Sequence, residues 1–282
     1  MIQQLTIVGL GLVGGSVAKA ARAEGVARTI VAVGRDPGRL EAARRDGAVD
    51  RVTTDLAAGL RGADFVLLAA PVGAIAAMLA DVWRAVALDA TLTDVGSAKA
   101  VIVREAERLA DERPLGFVGS HPMAGSEQSG YAVARADLFR GATVIVTPTE
   151  RTDPGAGKRV TQFWEGLGAR VATLEAERHD RVVAAISHLP HLVAWALVDA
   201  VARLDGEAFA LAARGFKDTT RIAASDARVW REIFLQNQEA LGAALAAFRA
   251  ALAELEAGIA AGDGPALEQK LARLRSVRER LA

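Results

Sequence analysis

Apolar positions along the first part of the chain fall into short β-branched runs separated by stretches with apolar residues at helical spacing. Leu5-Thr6-Ile7-Val8 reads as a buried strand, and the Ala-rich stretch from Val17 to Ala23 as the helix that follows it. Thr29 to Val33 predicts a second strand, Pro37 to Asp46 a helix, and Val49 to Thr53 a short third strand. Asp64 to Ala69 is a buried strand, Val72 to Val86 a helix, and Thr91 to Thr93 another strand, followed by a helix to Asp111. Strands at Gly116 to Gly119, Ala142 to Thr147 and Ala169 to Ala172 complete the pattern, with a helix from Gly157 to Leu167. Thr149 to Gly157, with a proline and two glycines, reads as a surface loop. Strands alternating with helices predict a doubly wound parallel sheet with helices on both faces. Past Leu174 the strand pattern stops, and an Ala/Leu/Arg/Glu-rich chain runs to Ala282 with Pro190 and Pro265 its only prolines. The expected organisation is an α/β domain over residues 1–173 and an all-α domain over residues 174–282.

Composition narrows the class. Hydrophobic residues make up 51%, which places the chain among globular proteins. Lys+Arg and Asp+Glu both number 34, so neither nucleic acid nor an anionic membrane surface is expected as the main partner. The absence of cysteine excludes disulfides, a cysteine nucleophile and thiolate metal sites, and fits a reducing cytoplasm. No apolar run reaches the ~18 residues of a membrane span, and the chain enters a strand directly with no signal peptide visible. A cytoplasmic protein is expected.

Between the first strand and its helix stand Gly9, Leu10, Gly11, Leu12, Val13 and Gly14, at the G-x-G-x-x-G spacing. Gly9 would permit a tight turn, Gly11 would let a pyrophosphate approach the backbone, and Gly14 would let helix and strand pack closely. The phosphates would meet the free N–H groups and the dipole of a helix N-terminus. The bland alternative is a glycine-rich turn of another α/β domain. At the end of the second strand, where an acidic residue usually binds the ribose 2′-hydroxyl of NAD, the chain reads Val33-Gly34-Arg35-Asp36. A strand ending at Val33 puts Gly34 in the acidic position with Arg35 beside it, favouring the 2′-phosphate of NADP. A shift in register would put Asp36 on the ribose and restore NAD.

Other polar groups collect at predicted strand ends, where a doubly wound sheet places its ligand crevice. His121 follows the Gly116–Gly119 strand; it is either a base for a hydroxyl proton during hydride transfer or a structural histidine. Ser97 follows another strand and could cap the next helix, bond a substrate hydroxyl, or both. Lys99 could be a surface charge or a second polar contact. In the helical part, His188 and His191 flank Pro190, which should kink or interrupt its helix. Two histidines three apart can bind a metal, but four histidines in all and no cysteine leave few further ligands, so none is expected. In Phe216-Lys217-Asp218-Thr219-Thr220-Arg221, Arg221 could pair with Asp218 on a solvated face or turn inward to clamp a carboxylate.

Taken in order, these segments resemble the prephenate/arogenate dehydrogenase family of tyrosine biosynthesis. The resemblance rests on the glycine motif from Gly9 to Ser16, Asp94-Val95-Gly96-Ser97-Ala98-Lys99, Ser120-His121-Pro122-Met123-Ala124-Gly125-Ser126-Glu127 and Ser187-His188-Leu189-Pro190-His191. Phe216 to Ala223, Trp230 to Phe234 and Asn237 continue it, so it spans both predicted domains. It implies a Rossmann-type domain with a helical dimerisation domain, and oxidative decarboxylation of a cyclohexadienyl ring with NADP, or NAD, as oxidant. In that family pattern His121 accepts the proton of the ring 4-hydroxyl and Ser97 is its partner on that hydroxyl. Arg221 binds substrate carboxylate, His191 lines the substrate pocket, and Glu127 with Asp218 forms an ionic gate around the arginine. His188 and Lys217 fall within the same substrate-binding segments. A homodimer through the helical domain is implied. The family often has an acidic residue where Gly34-Arg35 stands, and some members carry a fused mutase or regulatory domain, for which this chain is expected to have no room. A β-hydroxyacid dehydrogenase and a non-catalytic dinucleotide sensor are the rival readings.

Overall fold

The computed structural model describes residues 1–126 and 128–280. Its first part runs β1 (Ile2–Val8), α1 (Leu12–Ala23), β2 (Ala27–Val33), α2 (Pro37–Arg45), β3 (Arg51–Thr53), α3 (Leu56–Leu60), β4 (Phe65–Leu68) and α4 (Val72–Ala85). It continues with β5 (Thr91–Asp94), α5 (Ala100–Glu112), β6 (Gly116–Pro122), β7 (Thr143–Thr147), α6 (Pro154–Gly166) and β8 (Arg170–Thr173). After Thr173 the described chain has helices only: α7 (Ala176–Val183), α8 (Leu189–Leu204), α9 (Arg214–Thr220), α10 (Ala227–Gln236), α11 (Gln238–Ala261) and α12 (Gly264–Glu279).

The strands form one sheet in the order β3-β2-β1-β4-β5-β6-β7-β8. The first six are parallel and in the order expected of a dinucleotide-binding fold. Apolar side chains cover both faces. Leu40 of α2, Phe163 and Trp164 of α6 and Val17 of α1 pack on one side. Ile75, Leu79 and Trp83 of α4 pack with Ile102 and Val103 of α5 on the other. Each large side chain so buried contributes about 1.5–3 kcal/mol.

One pair departs from the parallel expectation. β7 runs antiparallel to β6, with His121 opposite Ile145 and Gly119 opposite Thr147. Among its described residues the link between them contains a single short helical turn, Tyr131–Val133, and no crossover helix, so the chain returns in the opposite sense. This pairing extends β6 three residues past Gly119 and puts His121 inside the strand. Two helix starts also differ from the expected pattern. Asp153 caps α6 at Ala156 N with Pro154 in the first turn, so the helix begins inside the segment read as a loop. Asp55 likewise caps the short α3, which the apolar spacing did not reveal.

α7 and α8 are one continuous rod, Ala176 to Leu204, interrupted by a π-helical turn at Ala184–His188. Leu189 N–H reaches back to the Ala184 carbonyl, and Pro190 next to it has no N–H to give. The proline thus widens the helix by one turn. By length and composition this helix could cross a membrane, which amends the expectation of no such segment. It nevertheless packs on α5, α11 and β7 and buries His179, Asp180 and His188.

Candidate active site

The glycine turn is built as its spacing requires. Gly9 has φ 105°, and a Cβ there would lie 2.3 Å from the Ala69 carbonyl oxygen at the end of β4. A Cβ on Gly14 would lie 2.0 Å from the Gly9 oxygen, so this glycine permits the close packing of α1 on its turn. Gly11, the residue before α1, has no heavy atom within 4 Å of its Cβ position, which leaves the backbone N–H groups at the helix start approachable. Leu10 is buried and Leu12 and Val13 half-buried against the core below. A pyrophosphate fits this cradle by the chemistry of a helix N-terminus.

β2 ends at Val33, so Gly34 is the first residue past the strand, with exposed Arg35 next to it. Asp36 is engaged elsewhere. Its Oδ1 caps α2 by accepting from Gly38 N at 2.9 Å and Arg39 N at 3.2 Å, and its Oδ2 pairs with Arg39 at 3.1 Å.

At the carboxyl end of β5, Asp94 anchors a wholly buried cluster. Its carboxylate accepts from Gly96 N at 2.7 Å and Ser120 N at 3.2 Å and pairs with the Lys99 ammonium. Lys99 is therefore no surface charge: it is fully buried, its Nζ also donates to the Ser120 carbonyl at 2.8 Å, and burial lowers its pKa despite Asp94. Ser120 Oγ lies within hydrogen-bond distance of Thr93 Oγ1 and accepts from Trp164 Nε1. The turn carrying Ser97 is held at both ends by this cluster. Ser97 itself is half-buried and caps nothing, since α5 begins only at Ala100. The cap comes from the helical part of the chain: Asp180 accepts from Lys99 N at 2.7 Å and from Ala100 N at 3.0 Å.

His121 is buried at the end of β6, and its Nδ1 lies 2.9 Å from His179 Nε2. His179 Nδ1 in turn lies 2.8 Å from Asp180 Oδ1. Burial lowers the pKa of His179, although Asp180 opposes the shift. For Asp180 burial acts upward, but the bonds from His179, Lys99 N and Ala100 N together hold its carboxyl below the usual range. Asn237 Nδ2 donates to the Asp180 carbonyl at 2.8 Å and lies 3.1 Å from His188 Nδ1. His188 must then carry its proton on Nε2, a buried donor with no hydrogen-bond partner among the described residues. Burial pushes its pKa down to about 4.

His191 lies in the first turn of α8. Its Nδ1 donates to the Ser187 carbonyl, and its ring stacks on Trp230 with centroids 3.5 Å apart. Trp230 also meets His188 and Trp195 edge-on, which forms an aromatic wall between α8 and α10. Burial lowers the His191 pKa, and the charge of Arg221, at the turn after α9, acts in the same direction. Lys217 and Asp218 are exposed on α9, and Asp218 pairs with Arg214 at 3.2 Å. Glu127 lies outside the described residues. Among the described residues no group of three or more His, Asp or Glu is placed to hold a metal.

The structure thus brings His121, His188 and His191 into one connected region, while Lys217 and Asp218 are exposed on α9 without a hydrogen bond or ion pair to it among the described residues. The sequence reading missed His179, Asp180 and Asn237 as members of it. The adjacent His179-Asp180 pair was a usable signal, although its partner lies 58 residues away.

Comparisons with known proteins agree with this architecture. The family described as "Prephenate dehydrogenase, nucleotide-binding domain" matches residues 17–173, and "Prephenate dehydrogenase, dimerization domain" matches residues 175–273. The cyclohexadienyl dehydrogenase of Zymomonas mobilis is 35% identical over 94% of this chain and 91% of its own length. The crystal structure of Aquifex aeolicus prephenate dehydrogenase with hydroxyphenyl propionate and NAD⁺ superposes with a TM-score of 0.91 at 34% identity, covering 100% of this chain and 99% of that one. Synechocystis arogenate dehydrogenase gives 0.84 at 32% identity, covering 99% and 100%. A 3-hydroxyisobutyrate dehydrogenase from Salmonella typhimurium, at 12% identity and 0.62, shares the fold alone. With both halves matched in order and a relative of this similarity aligned over nearly its whole length, the chain belongs to the prephenate dehydrogenase family.

Proposed function

We propose that the protein oxidatively decarboxylates prephenate, arogenate or both, with His121 as the base and NADP⁺ as the preferred oxidant. The observation that carries this is the placement of His121. It sits at the carboxyl end of a central strand, on the edge that carries the glycine cradle, in a buried setting that keeps it neutral. Burial, with His179, Lys99 and His188 around it, holds its pKa well below the ordinary imidazole value. A neutral imidazole at pH 7 can accept a proton.

A nicotinamide dinucleotide held at the glycine turn from Gly9 to Gly14 would supply the oxidant, a hydride acceptor for C4 of the ring. His121 takes the proton of the 4-hydroxyl, so that oxygen becomes a carbonyl as the hydride leaves. Ser97, with no hydrogen bond to the described residues, donates to or accepts from the same oxygen. The bond from C1 to its carboxylate then breaks, CO₂ departs, and the electron pair flows into the ring. The carbonyl oxygen recovers its proton and the ring is aromatic, so atoms and charge balance. Arg221 binds the side-chain carboxylate through its guanidinium fork, and His191 on Trp230 shapes the same end of the pocket. Lys217 and Asp218, exposed on α9, belong to its charged rim, and His188 offers its Nε2–H to a substrate oxygen.

For the oxidant, Gly34 next to Arg35 and the commitment of Asp36 to the α2 cap favour a 2′-phosphate over a free 2′-hydroxyl. We also propose a homodimer through the helical part. Its exposed apolar side chains, among them Ile186, Leu204, Leu211, Leu235 and Ile259, support it, as does the dimerisation description of the matched family.

One assay matrix tests the reading: prephenate and arogenate, each with NAD⁺ and NADP⁺, followed by reduced-nicotinamide absorbance and CO₂ release. Absence of turnover in all four wells would leave the non-catalytic sensor as the better account. Turnover only with NAD⁺ would overturn the cofactor assignment and leave the reaction standing.

A further inference from the structure

The His121–His179–Asp180 contacts have a direction that the chemistry of the groups fixes. A carboxylate only accepts hydrogen bonds, and Asp180 already takes two from the backbone of Lys99 and Ala100. His179 must therefore donate to it from Nδ1, across 2.8 Å. Neutral His179 then has a bare Nε2, which can only accept. Its partner among the described residues, across 2.9 Å, is His121 Nδ1, so the proton of His121 resides on Nδ1. The lone pair of His121 is left on Nε2.

We propose that His179 and Asp180 form a relay that locks His121 in the Nδ1–H tautomer and so aims its basic Nε2 at the substrate hydroxyl. This rests on the assignment of His121 as base and adds two positioning residues to it. The relay answers a second need as well. When His121 becomes an imidazolium, it faces His179, Lys99 and His188, none of which welcomes a positive charge beside it. Asp94 is matched to Lys99. The Asp180 carboxylate, acting through His179, is what opposes the new charge, as a buried carboxylate does in a hydrolase triad. Because Asp180 also caps α5, the relay couples the position of the base to the turn carrying Ser97.

Histidine occurs four times in the chain, so selective ¹⁵N-histidine labelling yields a readable spectrum of four imidazoles. The test uses the full-length enzyme at neutral pH, with signals assigned by single variants. In the wild type, His121 should show a protonated Nδ1 and a pyridine-like Nε2; the reverse pattern overturns the relay. In His179→Leu the signature should shift toward the other tautomer and kcat should fall by about 10–10³-fold, with KM for ring substrate and nicotinamide changing less than about threefold. His179→Gln can donate to Asp180 and accept from His121 through one carboxamide, so it should restore the tautomer and most of kcat. His179→Leu with wild-type kcat overturns the proposal, as does a folded Gln variant as impaired as Leu. If the Leu variant does not fold, the wild-type spectrum and the Gln variant decide. Asp180→Asn is the poorer probe, because it also disturbs the cap on α5. Normal kcat in His121→Asn would remove the base assignment, whereas the tautomer spectrum judges the relay by itself.

Discussion

Introducing a carboxylate at Gly34 should reverse the choice between NADP⁺ and NAD⁺. A Cβ at this position meets Leu40 Cδ2 at 3.3 Å, and Leu40 is only 2% exposed. Leu40 must therefore give by a few tenths of an ångström, at a cost of about 0.5–1.5 kcal/mol in rotamer strain. The strain lowers stability but acts equally on both nucleotides. The charge does not. A carboxylate next to the 2′-phosphate, and in competition for Arg35, should remove one charge-assisted interaction, about 1.5–3 kcal/mol. That is about a 10- to 150-fold fall in kcat/KM for NADP⁺. For NAD⁺ the same carboxylate gains the 2′-hydroxyl as a donor, and kcat/KM should rise. Gly34→Ala carries the Cβ without the charge and should leave the ratio of the two constants unchanged. Asp36→Ala should lose the α2 cap, about 0.5–2 kcal/mol of stability, again with no change in the ratio. Initial rates over a matrix of both nucleotides, with a thermal melt of each variant, supply every number. A wild-type preference for NAD⁺ that Asp36→Ala abolishes would refute the reasoning and make Asp36 the ribose ligand.

His121→Asn should lower kcat by about 10²–10⁴ and abolish the acid limb of the kcat–pH profile, with KM largely kept. That limb should lie below the ordinary imidazole range, since burial lowers the pKa of His121; a retained limb with near-normal kcat would mean another base. Arg221→Ala should raise KM for the ring substrate steeply, and Arg221→Lys should rescue it only in part, because an ammonium cannot form the bidentate fork; unchanged KM in both would place Arg221 outside the pocket. His188 is neutral in the folded protein down to about pH 4 and takes up a proton near 6.5 when unfolded. The unfolded state therefore binds more protons between these values. Stability should fall with acidification from about pH 6.5 to about pH 4, by about 3 kcal/mol from this group, with His121 and His179 acting in the same direction. Urea denaturation across this window checks it, and a flat profile would show that these imidazoles are not held neutral.

Much of the frame was determined by local sequence. Strand, turn and helix from Ile2 to Ala23 follow from a β-branched run, glycines at fixed offsets and an Ala-rich helix, and each acts over a few residues. The end of β2 at Val33 and the all-helical chain after Thr173 are local in the same sense. Asp153-Pro154 and Asp55 were readable cap signals for α6 and α3 that apolar spacing alone passed over. Strand direction is different, because an apolar run does not encode which way its neighbour runs. The antiparallel turn of β7, which carries β6 on through His121, was settled by pairing. The chemistry of the site was settled further from the sequence still. Lys99 reads as a surface charge or a polar contact until Asp94 and the Ser120 carbonyl enclose it. Ser97 reads as a helix cap until Asp180, 80 residues from Ala100, takes that role. The tautomer of His121 depends on two groups from another part of the fold. The sequence determines which groups are present and which element carries each. The protonation state, direction and partner of a buried polar group depend on what else has lost its water beside it, and only the folded chain decides that.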